Sequence, residues 1–138
     1  MREIKFRAWD KEKKEWVGAE TGGVMDLEYS GEVGAFMFDN DSFDIPKNVI
    51  WCQFTGLKDK NGKEICEGDI VRRVYAFTKA NKPKETTDQI VFSDEWGAFA
   101  FHSKTNIGKG WSRMYSGHKA FPFEVIGNIY ENPELLKV

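Results

Sequence analysis

The feature that most constrains this chain is the shape of its apolar side chains. Leu occurs 4 times, against 18 Ile and Val, 11 Phe and 5 Trp. Leu is the common material of helical cores, whereas β-branched and aromatic side chains fit a pleated, half-buried surface. Thirteen glycines spread along the sequence suit the many tight turns that such a fold needs. The expectation is a mainly β, antiparallel protein with little helix.

The local pattern locates the strands. Residues 4–9 (IKFRAW) alternate apolar and polar, residues 10–15 form a charged turn, and Trp16-Val17 begins the return, so residues 3–18 read as a hairpin. Short strands are read at residues 24–29 and 35–38, and stronger ones at 49–54, 70–77, 89–92, 98–102 and 121–130. Residues 55–65 read as turn-dominated, with Asn61-Gly62 supplying the positive φ angles of a tight reversal. Residues 78–87 (TKANKPKETT) read as an exposed loop, and residues 103–110 as a second loop. Asn132 followed by Pro133 suits the cap and first position of a short C-terminal helix. Closely spaced strands describe a small SH3-like or curled β-barrel. Gly68-Asp69-Ile70-Val71 entering a long strand resembles the opening of SH3-like barrels. The 138 residues read as a single domain, with an N-terminal subdomain over 1–48 and a barrel over 49–131.

Charge is uneven. Residues 1–46 carry net −5, residues 47–87 net +4, and residues 88–138 net −1. Residues 19–46 hold seven acids and no Lys or Arg. A net charge of −2 argues against indiscriminate phosphate binding but leaves room for a basic patch in the middle third. No apolar run reaches the 18 or so residues of a membrane helix, and no membrane association is expected. The charged opening Met1-Arg2-Glu3 is unlike a signal peptide, so the expected location is the cytoplasm, with Cys52 and Cys66 as reduced core thiols.

Three blocks resemble the YopX-like proteins of bacteriophages and prophages. They are Ile4-Lys5-Phe6-Arg7-Ala8-Trp9-Asp10 at the start, the central run from Gln53 through Asp59-Lys60-Asn61-Gly62-Lys63-Glu64-Ile65 into Glu67-Gly68-Asp69-Ile70-Val71, and Val125-Ile126-Gly127-Asn128-Ile129-Tyr130-Glu131-Asn132-Pro133-Glu134-Leu135-Leu136 at the end. The resemblance implies a small, mainly β, phage-encoded protein acting in the bacterial cytoplasm. It implies no catalytic residues.

The candidate contact set is Lys58, Lys60, Lys63, Arg72, Arg73, Tyr75 and Lys79, with Lys82 and Lys84 beyond. Small β-barrels bind nucleic acid with cations for phosphate and aromatics for stacking. Arg72 and Arg73 are adjacent on one strand and therefore point to opposite faces. The structural alternative for the central block is that Asn61-Gly62 turns the chain while Asp59 and Asp69 bond nearby amides. Cys52, Cys66, His102 and His118 lack the close spacing of zinc ligands, and residues 39–44 (DNDSFD) lack the Gly and final acid of a calcium loop. No cofactor or metal is expected, and no nucleophile–base pair stands out. The functional expectation is a non-catalytic binding module that contacts a protein partner, host or phage, or itself, through exposed strand edges and the acidic stretch 19–46. Nucleic-acid binding through the basic middle third and an unrecognised enzyme are the alternatives.

Overall fold

The computed structural model describes residues 5–17, 24–30, 35–38, 48–77, 79–103, 110–113 and 123–137. These residues are mostly antiparallel strand, with one short 3-10 turn and no other helix. The chain divides into two compact units, residues 1–56 and 57–138.

The first unit is organised by β1 (Lys5–Asp10). The hairpin return β2 (Glu15–Trp16) pairs with the end of β1, placing Trp16 opposite Trp9. Next come β3 (Val24–Ser30) and β4 (Ala35–Phe38), close to the spans read from sequence. β3 pairs with the start of β1, and β4 lies at the edge beside β3. The other side of β1 is taken by β5 (Val49–Lys58). Alternation then sorts the side chains. Ala8 and Val17 are buried with Val49 and Trp51 packed against them, and Phe6 meets Trp51 edge-on at 6.4 Å. On the opposite face of β1, Trp9 and Trp16 meet at 5.0 Å and the Arg7 guanidinium lies 4.1 Å from the Trp16 ring centroid. Asp10 is buried rather than part of an exposed turn, because its Oδ1 accepts the Glu12 and Lys13 N–H groups that the reversal would otherwise leave unpaired.

β5 runs through the division between the units and reaches Lys58, further than the turn-dominated reading of residues 55–65 allowed. The reversal itself is confined to residues 59–63, before β6 (Glu64–Cys66). Only Gly62 has positive φ there (+82°), so the Asn61-Gly62 pair is not the doubly left-handed turn expected. Gly62 N–H donates to Asp59 O, and Asp59 N–H donates to Lys63 O. That is the three-residue hairpin, which needs one left-handed residue rather than two.

In the second unit β7 (Asp69–Phe77) is followed by β8 (Pro83–Ser93), β9 (Ala98–Ser103), β10 (Gly110–Arg113) and β11 (Phe123–Asn128). These five form an antiparallel sheet in the order β10-β9-β8-β7-β11, curled as a half-barrel. Two expectations change here. Residues 83–87 are strand rather than loop, because polar Lys84, Glu85, Thr86 and Thr87 find ladder partners on β7, and Pro83 sits at the one strand position that needs no donor. β10 was not read from the sequence at all. One face carries the core, with Ile65, Val71, Ile90 and Phe101 buried and Leu57, Phe123 and Val125 packed against them. Burying an Ile or Val of this kind contributes about 1.5–3 kcal/mol. Both cysteines are buried and form no disulfide among the described residues.

A 3-10 turn over Pro133–Leu136 closes the described chain and packs on β8. Pro133 begins it as expected, but Asn132 makes no side-chain cap. Its Oδ1 instead accepts from Asn128 N–H at 3.3 Å, while Asn128 Oδ1 accepts from Tyr130 and Glu131. The two amides are used to end β11, not to start the helical turn.

Candidate functional site

The central block of sequence is a structural anchor before anything else. The Asp59 residue is 7% exposed. Its Oδ1 accepts from Asn61 N–H and Lys63 N–H at 2.9 Å each, and its Oδ2 accepts from Val125 N–H at 2.9 Å. Lys60 N–H donates to Phe123 O at 3.0 Å. The turn therefore seals the outer edge of β11, which pairs with β7 on its other side. Asp69 acts similarly, its Oδ2 accepting from Cys66 N–H at 2.9 Å. Gly68 N–H donates to Ile90 O, and Ile129 N–H donates to Gly68 O.

The basic residues do not form one surface. Arg72 and Arg73 take opposite faces of β7. Arg72 and Lys60 both approach Glu124 at 3.6 Å, in exposed pairs of the kind worth up to about 1 kcal/mol each. Arg73 turns inward. Its Nε donates to Asp88 Oδ2 at 2.6 Å, and its guanidinium lies 4.7 Å from the Phe101 centroid. Asp88 is wholly buried, and among the described residues neither its Oδ1 nor the Thr86 hydroxyl has a hydrogen-bond partner. Lys58 and Lys63 are exposed beside the β5–β6 turn, and Lys79 is exposed in the turn between β7 and β8. Tyr75 interrupts the register of β7 at a bulge between Val74 and Ala76; its side chain lies outside the described part of the structure. His118 and residues 39–44 also lie outside it, as does most of the acidic stretch 19–46.

Register assigns the charges to two ends of the second sheet. Ala76 pairs with Lys84 and Phe77 with Pro83, so Lys79, Lys82 and Lys84 cluster where β7 ends. The β5–β6 turn, with Lys60 and Lys63, joins β11 near Phe123, which pairs with Arg73 toward that same end. At the opposite end β8 turns into β9 with Asp94 and Glu95 exposed. Asn128 pairs with Asp69 at that end, so Glu131 and Glu134 follow there. Glu67 precedes Asp69, and burial raises its carboxyl pKa above the ordinary value. Glu85 and Glu124 are opposing charges at the basic end, and Lys137 is one at the acidic end, toward which Arg113 of β10 also lies through its pairing with Ala100. β8, 11 residues long, separates the ends by about 30 Å.

The acidic end also carries an aromatic tip that sequence reading passed over. Phe92 and Phe99 pair across the β8–β9 ladder, with rings 5.4 Å apart and edge-on. They continue the face of Ile90 and Phe101 beyond the core. Phe92 is 46% exposed and Trp96 36%, the exposed large hydrophobic side chains among the described residues. Trp96 N–H donates to Ser93 Oγ at 3.2 Å, which closes the turn. A signal was present in the sequence: Ser-Asp-Glu-Trp-Gly puts the bulkiest apolar side chain into a turn, where large rings are seldom fully buried.

Among the described residues no group of three or more His, Cys, Asp or Glu could hold a metal ion. No helix in that part is long and apolar enough to cross a membrane.

Carboxylate-anchored turns on small antiparallel sheets thus define a β-rich protein whose central sequence block shapes its backbone. The YopX protein family model matches residues 5–137, and the chain belongs to that family. The crystal structure of protein EF1440 from Enterococcus faecalis is similar over 97% of this chain and 98% of that one, with 32% sequence identity and a TM-score of 0.55. No curated protein matches the chain.

Proposed function

We propose that this YopX family member is a non-catalytic binding module, a bacteriophage or prophage accessory protein of the bacterial cytoplasm, and that it contacts a protein through the β8–β9 tip. The observation that carries the reading is the exposure of Phe92 and Trp96 on a hairpin whose base is locked into the core by Ile90 and Phe101. Exposed aromatics held on a rigid support match the usual anchors of protein interfaces, since little side-chain entropy remains to be lost. In this reading the curled sheet serves as an SH3-like platform whose connecting turns make the contacts. Burial of both thiols favours a binding role over nucleophilic chemistry, because an apolar setting disfavours thiolate.

The test is capture from nuclease-treated bacterial lysate by the wild-type chain and by a Phe92→Ser/Trp96→Ser variant of equal thermal stability. A protein retained by the wild type alone supports the reading; identical recoveries from both sink it. The exposed Lys79, Lys82 and Lys84 favour a second reading, in which the basic end contacts nucleic acid. That reading requires DNA or RNA affinity that falls log-linearly with salt, and absence of binding near 50 mM salt removes it.

A further inference from the structure

The two ends of the second sheet carry opposite charge and different chemistry. The acidic end presents Trp96, Phe92, Asp94 and Glu95; the basic end presents Lys79, Lys82 and Lys84. We infer that the partner of the aromatic tip is the basic end of a second copy of this chain, so that copies join head to tail. The inference rests on the binding role proposed above and names the occupant of that same tip. Lysine ammonium groups are complementary to it twice over, to the carboxylates by charge and to the indole and phenyl faces by cation–π attraction.

The two surfaces lie at opposite ends of β8, so each contact joins unlike surfaces of two copies. Two copies side by side around a two-fold axis make that contact twice, and copies set end to end make it once per neighbour in a chain or a closed ring. Charge steers the encounter and aromatic burial holds it, so ionic strength is the natural control.

The experiment is light scattering of the full chain over a range of concentrations, at about 10 mM and about 1 M salt. At low salt the weight-average mass rises with concentration above 15.9 kDa; at high salt it returns to that value. Two charge reversals sharpen the test. Lys79→Glu/Lys82→Glu leaves both ends acidic, and Asp94→Lys/Glu95→Lys leaves both ends basic. Each variant alone stays monomeric, and an equimolar mixture assembles with the two alternating. Both sets of changes are in exposed turns, and unaltered far-ultraviolet dichroism checks the fold. Wild type at the monomer mass throughout at low salt overturns the inference, as does assembly that neither reversal reduces. Wild-type monomer together with a lysate protein lost in Phe92→Ser/Trp96→Ser rejects the second copy and leaves the aromatic tip as a binding site. Monomer without such a protein rejects both.

Discussion

The β5–β6 and β8–β9 hairpins of the second unit turn the chain in similar space and put it to opposite use. The first is drawn inward by one carboxylate. Asp59 satisfies two amides of its own turn and one of β11, so its polar groups are consumed by the fold. The second is closed by a local bond from Trp96 N–H to Ser93 and projects Phe92 and Trp96 outward. A buried charge in a hairpin thus serves architecture, while an exposed large apolar ring in a hairpin carries the contact on the function proposed above.

The largest effect is expected at Asp59. Asp59→Ala leaves three amide donors without their acceptor and lowers stability by about 3 kcal/mol in urea unfolding. Asp59→Asn keeps one accepting oxygen and loses about half as much. A loss below about 0.5 kcal/mol for the alanine variant would erase the distinction between the hairpins. Next come the two glycines that complete the turns. Gly62 and Gly97 have positive φ and open space where a Cβ would stand, so Gly62→Ala and Gly97→Ala each cost about 1 kcal/mol from backbone strain alone. Equal shifts would show that the hairpins differ in anchoring and not in backbone geometry.

A smaller, pH-dependent effect is expected at Glu67, in the turn between β6 and β7. Burial raises its folded pKa above the ordinary 4.5. As pH rises past 4.5 the unfolded chain releases this proton first, so the group's contribution to stability falls until the folded carboxyl also ionises. Glu67→Gln removes that decline. Its stability relative to wild type should therefore increase through this window and then level off, as read by thermal unfolding at several pH values. The smallest stability change belongs to Trp96→Ser, within about 0.5 kcal/mol of wild type, as for other exposed positions. On the proposed function its partner binding is nonetheless lost, so stability and contact separate at the second hairpin.

Much of the strand layout was legible because β-branched and aromatic runs announce themselves: Val24 to Tyr29, Ala35 to Phe38, and Val49 to Phe54 all lie in strands. The start of β8 was not, since Pro83-Lys84-Glu85-Thr86-Thr87 is polar and its strand character comes from pairing with Arg72, Arg73 and Val74. Tertiary pairing overrode local propensity there. The opposed directions of Arg72 and Arg73 followed from strand alternation. That Arg73 ends on Asp88 did not, because the partner lies 15 residues away on another strand. The charge poles were equally hidden: Lys84 and Glu95 are close in sequence, and only the length of β8 sets them apart.

One bond of the first hairpin also bears on how the chain is made. Asp59 is joined to an amide 66 residues later in the sequence. On the ribosome, the loop that will guard the sheet's margin emerges well before the strand it guards. Until Val125 has left the exit tunnel and docked, the nascent sheet keeps an unshielded border at which another chain could pair. Sealing of that border is therefore a late event in biogenesis, and a stall in translation before Val125 would leave the carboxylate in place with nothing to close.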